Sequence, residues 1–394
     1  MGVKLGEICK FQSGGTPTKG KAEYFNGNIP WITTTALNGS NIDESDAVDW
    51  ITEKAIMESA AKIVPAFSVM VGTRVGVGKV AINTVDMSTS QDIISLIGID
   101  ESVWSKEFLC KFLQGKSKYL NSQARGATIK GIKIDMLSSL ELPDISLEEQ
   151  QHISSVIDAT KNIISSRQYE LQKLDELVRA RFIELFGDLK SNNKGWKIVN
   201  FKECADIDTN MIHEFEGYEE YPHIGIDSIE KETGRLVGYR TIAEDGVISG
   251  KYLFSSAHII YSKIRPNLNK VAMPDFDGLC SADAYPILVK KGICNREYFG
   301  YTLRSQYFLD YILALSNRTN LPKVNKSQVE GFSLPLPPIA VQDQFAALVH
   351  QVAKSKAAVQ KALDQTQQLF DSLMQEYFCL LYTSPSPRDR SVSR

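Results

Sequence analysis

The sequence predicts an α+β fold in which two mixed α/β domains are separated by two long, antiparallel, coiled-coil-like helices, with a pseudo-twofold internal repeat. Two observations lead to this prediction. An amphipathic stretch begins at Leu142, and a similar stretch begins 192 positions later, at Leu334. The sequence that precedes each stretch has a globular composition, and it also repeats, with an offset of 191.

Both amphipathic stretches have the apolar periodicity of a long helix. In the first, Ile153, Ile157 and Ile164 are among the apolar residues that recur at steps of three and four. Prolines at Pro143 and Pro338 keep either helix from starting earlier. Some forty residues of helix make a rod of roughly 60 Å. The other copy is the natural cover for so long an apolar stripe. Two unrelated helices in separate cores are the alternative.

The repeat divides the chain into five segments. They are a first domain at 1–141, a first spacer helix at 142–190, a second domain at 191–333, a second spacer helix at 334–381 and a tail at 382–394. In the domains, short β-like runs, such as Ile93 to Ile97, alternate with turns rich in Gly, Asn, Ser and Thr. The tail consists largely of Ser, Pro and Arg, so we expect it to be disordered.

The composition excludes several classes of protein. An apolar fraction of 43% is ordinary for a globular chain, and a net charge of −3 neither indicates nor excludes a nucleic-acid partner. The six cysteines lie far apart without CxxC spacing, so we expect reduced thiols and neither a zinc site nor a disulfide framework. Because no apolar run could span a bilayer, we expect a cytoplasmic protein without a membrane partner.

The common catalytic motifs are missing from the sequence. The glycine-rich stretch 72–79 resembles a phosphate-binding loop, but its spacing is wrong and a strand-like run follows it. The five histidines form no metal-ligand pattern, and Asp283 lacks the lysine that a nuclease constellation would need after it. We therefore predict no catalytic residue, no metal and no cofactor.

Polar loops in both domains carry the residue types that bind DNA. Arg and Lys bind phosphates or guanine edges, Asn pairs with adenine, and Thr can contact the sugar-phosphate chain. A solvated loop is the alternative interpretation of each residue. The candidates in the first domain are Thr16, Lys19, Thr34, Arg74, Lys79, Arg125, Thr128 and Lys130, and those in the second are Lys263, Arg265, Asn267, Asn269, Lys270, Arg318, Asn320 and Lys323.

With these features in order, the chain resembles the specificity (S) subunits of type I restriction-modification systems. The resemblance covers residues 1 to about 381. It rests on the helix-leading segments LPDISLEEQQ and LPLPPIAVQDQ, on the strand-loop segment SKIRPNLNKVAMPDFDGLCSADAYPI, and on RGATIKGIKIDML and RTNLPKVNKSQV before the helices. The order and duplication of these segments are more specific than any one of them.

The resemblance implies a recognition subunit without a catalytic site. Two target-recognition domains would each bind one half of a split site in double-stranded DNA, and the helices would set their spacing. Such subunits dock two methyltransferase subunits and sometimes restriction-translocase subunits. A two-module protein-interaction scaffold without DNA binding is the alternative, and an enzyme of unrecognised chemistry is a third reading.

Overall fold

The computed structural model describes residues 2–124, 131–316 and 322–378, and all structural statements concern these residues. The strands are β1 (Gly2–Lys4), β2 (Lys10–Ser13), β3 (Phe25–Ile32), β4 (Asn41–Ile42), β5 (Asp49–Ile51), β6 (Ile63–Val64), β7 (Val69–Gly72), β8 (Val80–Asn83), β9 (Met87–Thr89), β10 (Ile93–Ile97), β11 (Glu141–Pro143), β12 (Lys197–Asn200), β13 (Ala205–Ile207), β14 (Met211–Ile212), β15 (Pro222–Ile224), β16 (Arg240–Thr241), β17 (Lys251–Phe254), β18 (His258–Ser262), β19 (Val271–Ala272), β20 (Gly278–Ser281), β21 (Ala284–Val289) and β22 (Ser333–Leu336).

Helices connect and flank these strands. They are α1 (Leu5–Ile8), α2 (Glu53–Glu58), α3 (Lys106–Gly115), α4 (Ser117–Gln123), α5 (Ile134–Ser138), α6 (Leu147–Phe186), α7 (Phe201–Cys204), α8 (Arg296–Arg304), α9 (Gln306–Leu315), α10 (Lys326–Glu330) and α11 (Ile339–Phe378). None of the helices in the described ranges is both long enough and apolar enough to cross a bilayer.

The chain forms two compact units. Unit 1 takes its residues from Met1–Gln168 and Ala362–Arg394, and unit 2 is Tyr169–Lys361. Each of the two long helices, α6 and α11, therefore contributes its first part to one unit and its last part to the other. The chain is thus a mixed helix-and-sheet protein of two units.

Unit 1 is built on two main sheets. One has the strand order β2-β10-β7-β8-β4 and the other has the order β5-β3-β9-β6. A third pair, β1 and β11, joins the first residues of the chain to the segment just before α6. The run predicted as a strand at 93–97 is β10, and the first four of its five residues are buried. The sheets therefore hold the loops between their strands on a buried framework.

Helix α3 covers the first sheet of unit 1. Ser105 caps its start, since the Ser105 hydroxyl accepts the Phe108 N–H at 3.2 Å. Phe108 and Phe112 are buried, and the last residue of α11, Phe378, lies between them at ring distances of 5.6 and 6.2 Å. Burying a phenylalanine side chain stabilises a fold by about 2–3 kcal/mol. The end of α11 is therefore part of the core of unit 1.

Unit 2 repeats much of this plan. Its sheet β13-β21-β18-β19 has the same sequential order as β2-β10-β7-β8, and β12 pairs with β22 as β1 pairs with β11. Its other sheet has the order β14-β17-β20-β15-β16. The core contains a cluster of aromatic rings in which Phe186 of α6 packs against Tyr298 of α8 at 4.6 Å.

Within unit 2, α6 and α11 contact each other in opposite directions. Phe182 of α6 packs edge-on against Phe345 of α11, with ring centroids 5.3 Å apart. Seven residues earlier in α6, Asp175 accepts a hydrogen bond from Lys356 at 2.7 Å, eleven residues later in α11. Moving back along α6 thus moves forward along α11, so the two segments are antiparallel in this unit.

Both long helices begin later than the amphipathic pattern. Leu142 and Pro143 lie in β11, and α6 begins at Leu147. The Ser146 hydroxyl accepts the Glu149 N–H at 3.2 Å and so provides the helix start with a cap. The extended backbone that a proline favours fits a strand better than a first helical turn.

Candidate nucleic-acid interface

In unit 1, two parallel strands bring three candidate loops to one edge of a sheet. β3 and β9 run side by side, with Ile32 opposite Thr89. The threonines that follow β3 and the turn Ser90–Asp92 that follows β9 therefore leave the sheet together. The Ser90 N–H donates to the Ile32 carbonyl at 2.9 Å, which ties the two strand ends. We call Ser90–Asp92 the central turn.

The loop after β2 lies directly on this edge. The Gly14 N–H donates to the Ile93 carbonyl at 3.0 Å, and the Gly15 N–H donates to the Thr89 carbonyl at 2.9 Å. A Cβ at Gly14 would lie only 2.2 Å from the Ser90 oxygen, so this close approach requires glycine. Thr16 and Lys19 follow on the exposed side of the loop.

The loop between β7 and β8 reaches the central turn from the other side. The Thr73 N–H donates to the Asp92 carbonyl at 2.8 Å, and the Arg74 guanidinium lies 3.9 Å from the Asp92 carboxylate. Gly76 and Gly78 have φ values of +66° and +77°, which the tight turn needs. The side chains of Arg74 and Lys79 are exposed. The loop after β2, the loop after β3 and the β7–β8 loop thus meet around the central turn.

The remaining candidates of unit 1 are Thr34 and three residues outside the described ranges. Thr34 lies at the same edge, but only 4% of its surface is exposed, so a direct contact from its side chain would require the loop to open. Arg125, Thr128 and Lys130 lie outside the described residues. Gly131, which follows them, lies close to Arg74.

Unit 2 has a matching group of loops. The Lys263 N–H donates to the Asp283 carbonyl at 3.0 Å, as Thr73 does to Asp92 in unit 1. The Lys263 ammonium lies over the Tyr285 ring at 5.2 Å. Burial lowers the pKa of Lys263, and the neighbouring Lys323 lowers it further. Lys323 pairs with the Asp283 carboxylate at 2.8 Å and remains about half exposed.

Two residues of this loop have a left-handed backbone. Arg265 has φ +49° and Asn269 has φ +47°, on either side of a short 3₁₀ turn. A left-handed arginine is strained, and strain of this kind is common at functional sites. The Arg265 N–H donates to the Pro322 carbonyl at 2.8 Å and its side chain is exposed, as is that of Asn267. Arg318 and Asn320 lie outside the described residues.

Two candidates of unit 2 have structural contacts instead of open surfaces. Asn269 is 8% exposed, and its amide donates to the Arg304 carbonyl at 2.7 Å. Lys270 is also largely buried, and its ammonium donates to the Ile226 carbonyl at 2.8 Å. Both side chains hold the loop in place.

The two loops differ by one residue in length. Gly72 N–H bonds to the Lys79 carbonyl in unit 1, and Ser262 N–H bonds to the Lys270 carbonyl in unit 2. Ser262 lies 190 positions after Gly72, and Lys270 lies 191 positions after Lys79. The loop of unit 2 therefore has one more residue than the loop of unit 1. Lys79 and Lys270 are therefore equivalent by hydrogen bonding, yet only Lys79 is exposed.

The candidates from the sequence do not include the turn Gly225–Ser228 of unit 2, which lies at the same edge. This turn follows β15, which runs parallel to β20 with Ile224 opposite Cys280, as β3 runs parallel to β9 in unit 1. It is therefore the counterpart of the threonines after β3. The 192-residue offset places Thr35 on Asp227 and could have identified the turn, but the two segments share no residue type there.

The chemistry of both edges suits binding to a polyanion. Each edge presents cations on turns, and in each unit a carboxylate, Asp92 or Asp283, lies beside one of them. Exposed ion pairs of this kind are weak, about 0–1 kcal/mol, so the cations can exchange partners readily. Among the described residues there is no group of three His, Cys, Asp or Glu side chains that could hold a metal ion.

Comparison with known proteins gives consistent matches over nearly the whole chain. The family model described as "Type I restriction modification DNA specificity domain" matches residues 1–176 and 193–366. The EcoDI specificity subunit of Escherichia coli is 29% identical over 69% of this chain and 69% of its own. The MjaIX specificity subunit of Methanocaldococcus jannaschii is 24% identical over 94% and 90%.

Solved structures agree in fold. The S subunit of a type I restriction-modification system from M. genitalium superposes with a TM-score of 0.61 at 13% identity, covering 96% of both chains. A structure from work on complex assembly and conformational transition of the type I R-M system superposes with a TM-score of 0.57 at 16% identity, covering 95% of this chain and 96% of the other.

Proposed function

Since the chain belongs to the type I restriction-modification DNA specificity family, we propose that it is the non-catalytic subunit that recognises a bipartite double-stranded DNA site. Each unit would bind one half of the site. The relatives named above are specificity subunits of type I restriction enzymes, and we propose the same role for this chain.

One observation carries the proposal for DNA contact. In both units, a loop residue donates its N–H to the carbonyl of an aspartate, Asp92 or Asp283, that follows a parallel strand. Around each aspartate lie exposed cations, which include Arg74 in unit 1 and Lys323 in unit 2. Two similar cationic edges in one chain are what a protein needs in order to contact two half-sites.

The long helices are proposed to set the spacing of the half-sites. The antiparallel contacts of α6 and α11 within unit 2 support a paired, coiled-coil-like spacer with a pseudo-twofold relation between the repeats. The spacing of the half-sites would then follow from the length of the helices, each of which has 40 residues. The domain boundaries proposed from the sequence, with spacers at 142–190 and 334–381, belong to the same proposal.

The partners are proposed to be two methyltransferase subunits and, in a restriction complex, restriction-translocase subunits, all acting in the cytoplasm. Exposed apolar side chains on α6 support docking there: Tyr169, Leu177 and Ile183 are 58%, 47% and 63% exposed. Because the chain is close to neutral, much of the attraction to DNA phosphates would come from these subunits.

Methylome sequencing tests this function. A host that carries the gene together with its methyltransferase genes should have a modified, two-part DNA sequence that disappears when this gene alone is deleted. Replacing residues 169–361 with the same segment of a relative should change one half of the site and keep the other. Retention of the complete pattern after deletion would overturn the proposal.

A further inference from the structure

Asp227 occupies an unusual position on the DNA-facing edge of unit 2. It lies in the turn Gly225–Ser228 after β15, and the parallel pairing of β15 with β20 places this turn beside the turn that contains Asp283. The Asp227 side chain is fully exposed. It therefore projects a carboxylate from a surface whose other exposed groups include the cations Arg265 and Lys323.

The turn that carries Asp227 is held rigidly. The Lys270 ammonium donates to the Ile226 carbonyl at 2.8 Å, and the Val237 N–H donates to the Ser228 carbonyl at 2.9 Å. The Ser228 N–H closes the turn by donating to the Gly225 carbonyl at 3.1 Å. A side chain on a turn held in this way needs little ordering before it contacts a partner.

The charge of Asp227 restricts what it can contact on DNA. A carboxylate only accepts hydrogen bonds, so it is repelled by phosphates and by the acceptor atoms O6, N7 and O4 of the major groove. In the major groove, the groups that can donate to it are the exocyclic amino groups of cytosine and adenine. Lys270, 4.0 Å from the carboxylate, offsets part of the repulsion from the DNA backbone.

We propose that Asp227 is a specificity-determining residue that accepts a hydrogen bond from the exocyclic amino group of a cytosine or adenine in the major groove of the half-site bound by unit 2. This inference rests on the proposed function. Unit 1 has threonines at the equivalent place, where Thr33 and Thr35 hydroxyls bond to each other at 2.8 Å. Hydroxyls both donate and accept, so the two units differ in their selectivity at this turn.

The test uses the complete complex of this chain with its methyltransferase subunits. Binding is measured for DNA in which each base pair of the half-site is replaced in turn, and for DNA without the site. In Asp227→Ala, which has no side-chain acceptor, discrimination at one base pair should fall about tenfold to a hundredfold, and affinity for DNA without the site should increase. The base pair at which discrimination falls identifies the contacted base as cytosine or adenine.

Two variants make the result specific. Asp227→Glu keeps the carboxylate and should keep part of the preference for an amino group. Asp275→Ala removes an exposed carboxylate before β20, at the end of that strand away from the turn with Asp283, and should change neither quantity. If the wild type prefers particular half-site bases and Asp227→Ala has identical preferences, this inference is wrong and the proposed function stands. A wild-type complex without any sequence preference would overturn both.

Discussion

Gln150 and Gln342 make the same set of hydrogen bonds in the two units. Each is fully buried in the first turn of a long helix. The side-chain Oε1 of Gln150 accepts the Ser105 N–H at 2.9 Å, and the side-chain Oε1 of Gln342 accepts the Asn295 N–H at 2.7 Å. Each amide nitrogen also donates to two backbone carbonyls. These two side chains connect the start of α6 and of α11 to the helix that covers the sheet of its own unit.

Gln150→Ala should destabilise unit 1 by about 2–3 kcal/mol, because it leaves several buried backbone groups without a partner. Hydrogen exchange of the α3 amides should become faster by the factor that corresponds to this loss of stability, while exchange in α8 stays unchanged. Gln342→Ala should show the reverse. Gln151→Ala, at the exposed neighbouring position, is the control, and equal effects of Gln150→Ala and Gln151→Ala would contradict the role of the buried amide.

Val178→Asp should destabilise unit 2 by about 3 kcal/mol or more, because it places an unpaired carboxylate in the core. Val178 is 3% exposed, whereas its neighbour Leu177 is 47% exposed. Leu177→Asp therefore serves as the control and should have little effect on urea unfolding. The same comparison applied to assembly should show that Leu177→Asp weakens docking if partners bind the exposed face of α6. Similar unfolding midpoints for the two variants would count against the packing of α6 described here.

Arg74→Ala and Arg265→Ala should each weaken binding to one half-site by about 1–3 kcal/mol, as expected for the loss of a bidentate contact to guanine. Arg74→Lys and Arg265→Lys retain the charge but not the planar fork, so they should lose base discrimination and keep most of the nonspecific affinity. Titrations of the assembled complex with DNA altered in one half-site measure both. Unchanged preferences in all four variants would refute these assignments.

Lys79→Ala and Lys270→Ala should have different effects although the two lysines are equivalent by hydrogen bonding. Lys79 is exposed, so its loss should reduce the slope of log affinity against log salt by about one if it contacts a phosphate. Lys270 donates to the Ile226 carbonyl from a largely buried position. Its loss should lower the thermal stability of unit 2. A pair of identical phenotypes would be inconsistent with the structure.

Buried thiols should resist alkylation in the native state. Burial raises the pKa of Cys9 and of Cys280 to about 12 from 9.0, and that of Cys110 to about 11. At pH 9 the thiolate fraction of Cys280 is then roughly a thousandth, so iodoacetamide should label it far more slowly than in urea. Stability linked to these groups is complete below pH 9 and is lost as pH rises towards 12. Peptide mass spectrometry reads each cysteine separately, and fast native labelling would disprove the burial.

The sequence predicted the long helices well because an apolar period sustained over forty residues leaves few alternatives. It placed β10 correctly because four of the five residues of Ile93–Ile97 are apolar. It did not predict that Leu142 and Pro143 form a strand, because their partner β1 lies at the other end of the domain and local propensity carries no information about that pairing.

The DNA-binding role of the candidate residues stays a prediction. Residue type favours the charged loops, yet type alone cannot distinguish the exposed Lys79 from the largely buried Lys270. That difference depends on a loop longer by one residue and on a carbonyl at Ile226. Asp227 is not among the candidates from the sequence, because an acidic residue lacks the donors that bind phosphates, and only the parallel pairing of β15 and β20 places it at the edge.

The division of the chain has a consequence for how such proteins can change. Unit 2 is one uninterrupted segment, Tyr169–Lys361, and the residues of its main core, from Val178 to Val352, all fall within it. Recombination between two genes at two points inside the helix-coding regions would therefore transfer a complete, self-packed unit. A single exchange event could give a descendant a new half-specificity without requiring either hydrophobic core to evolve again.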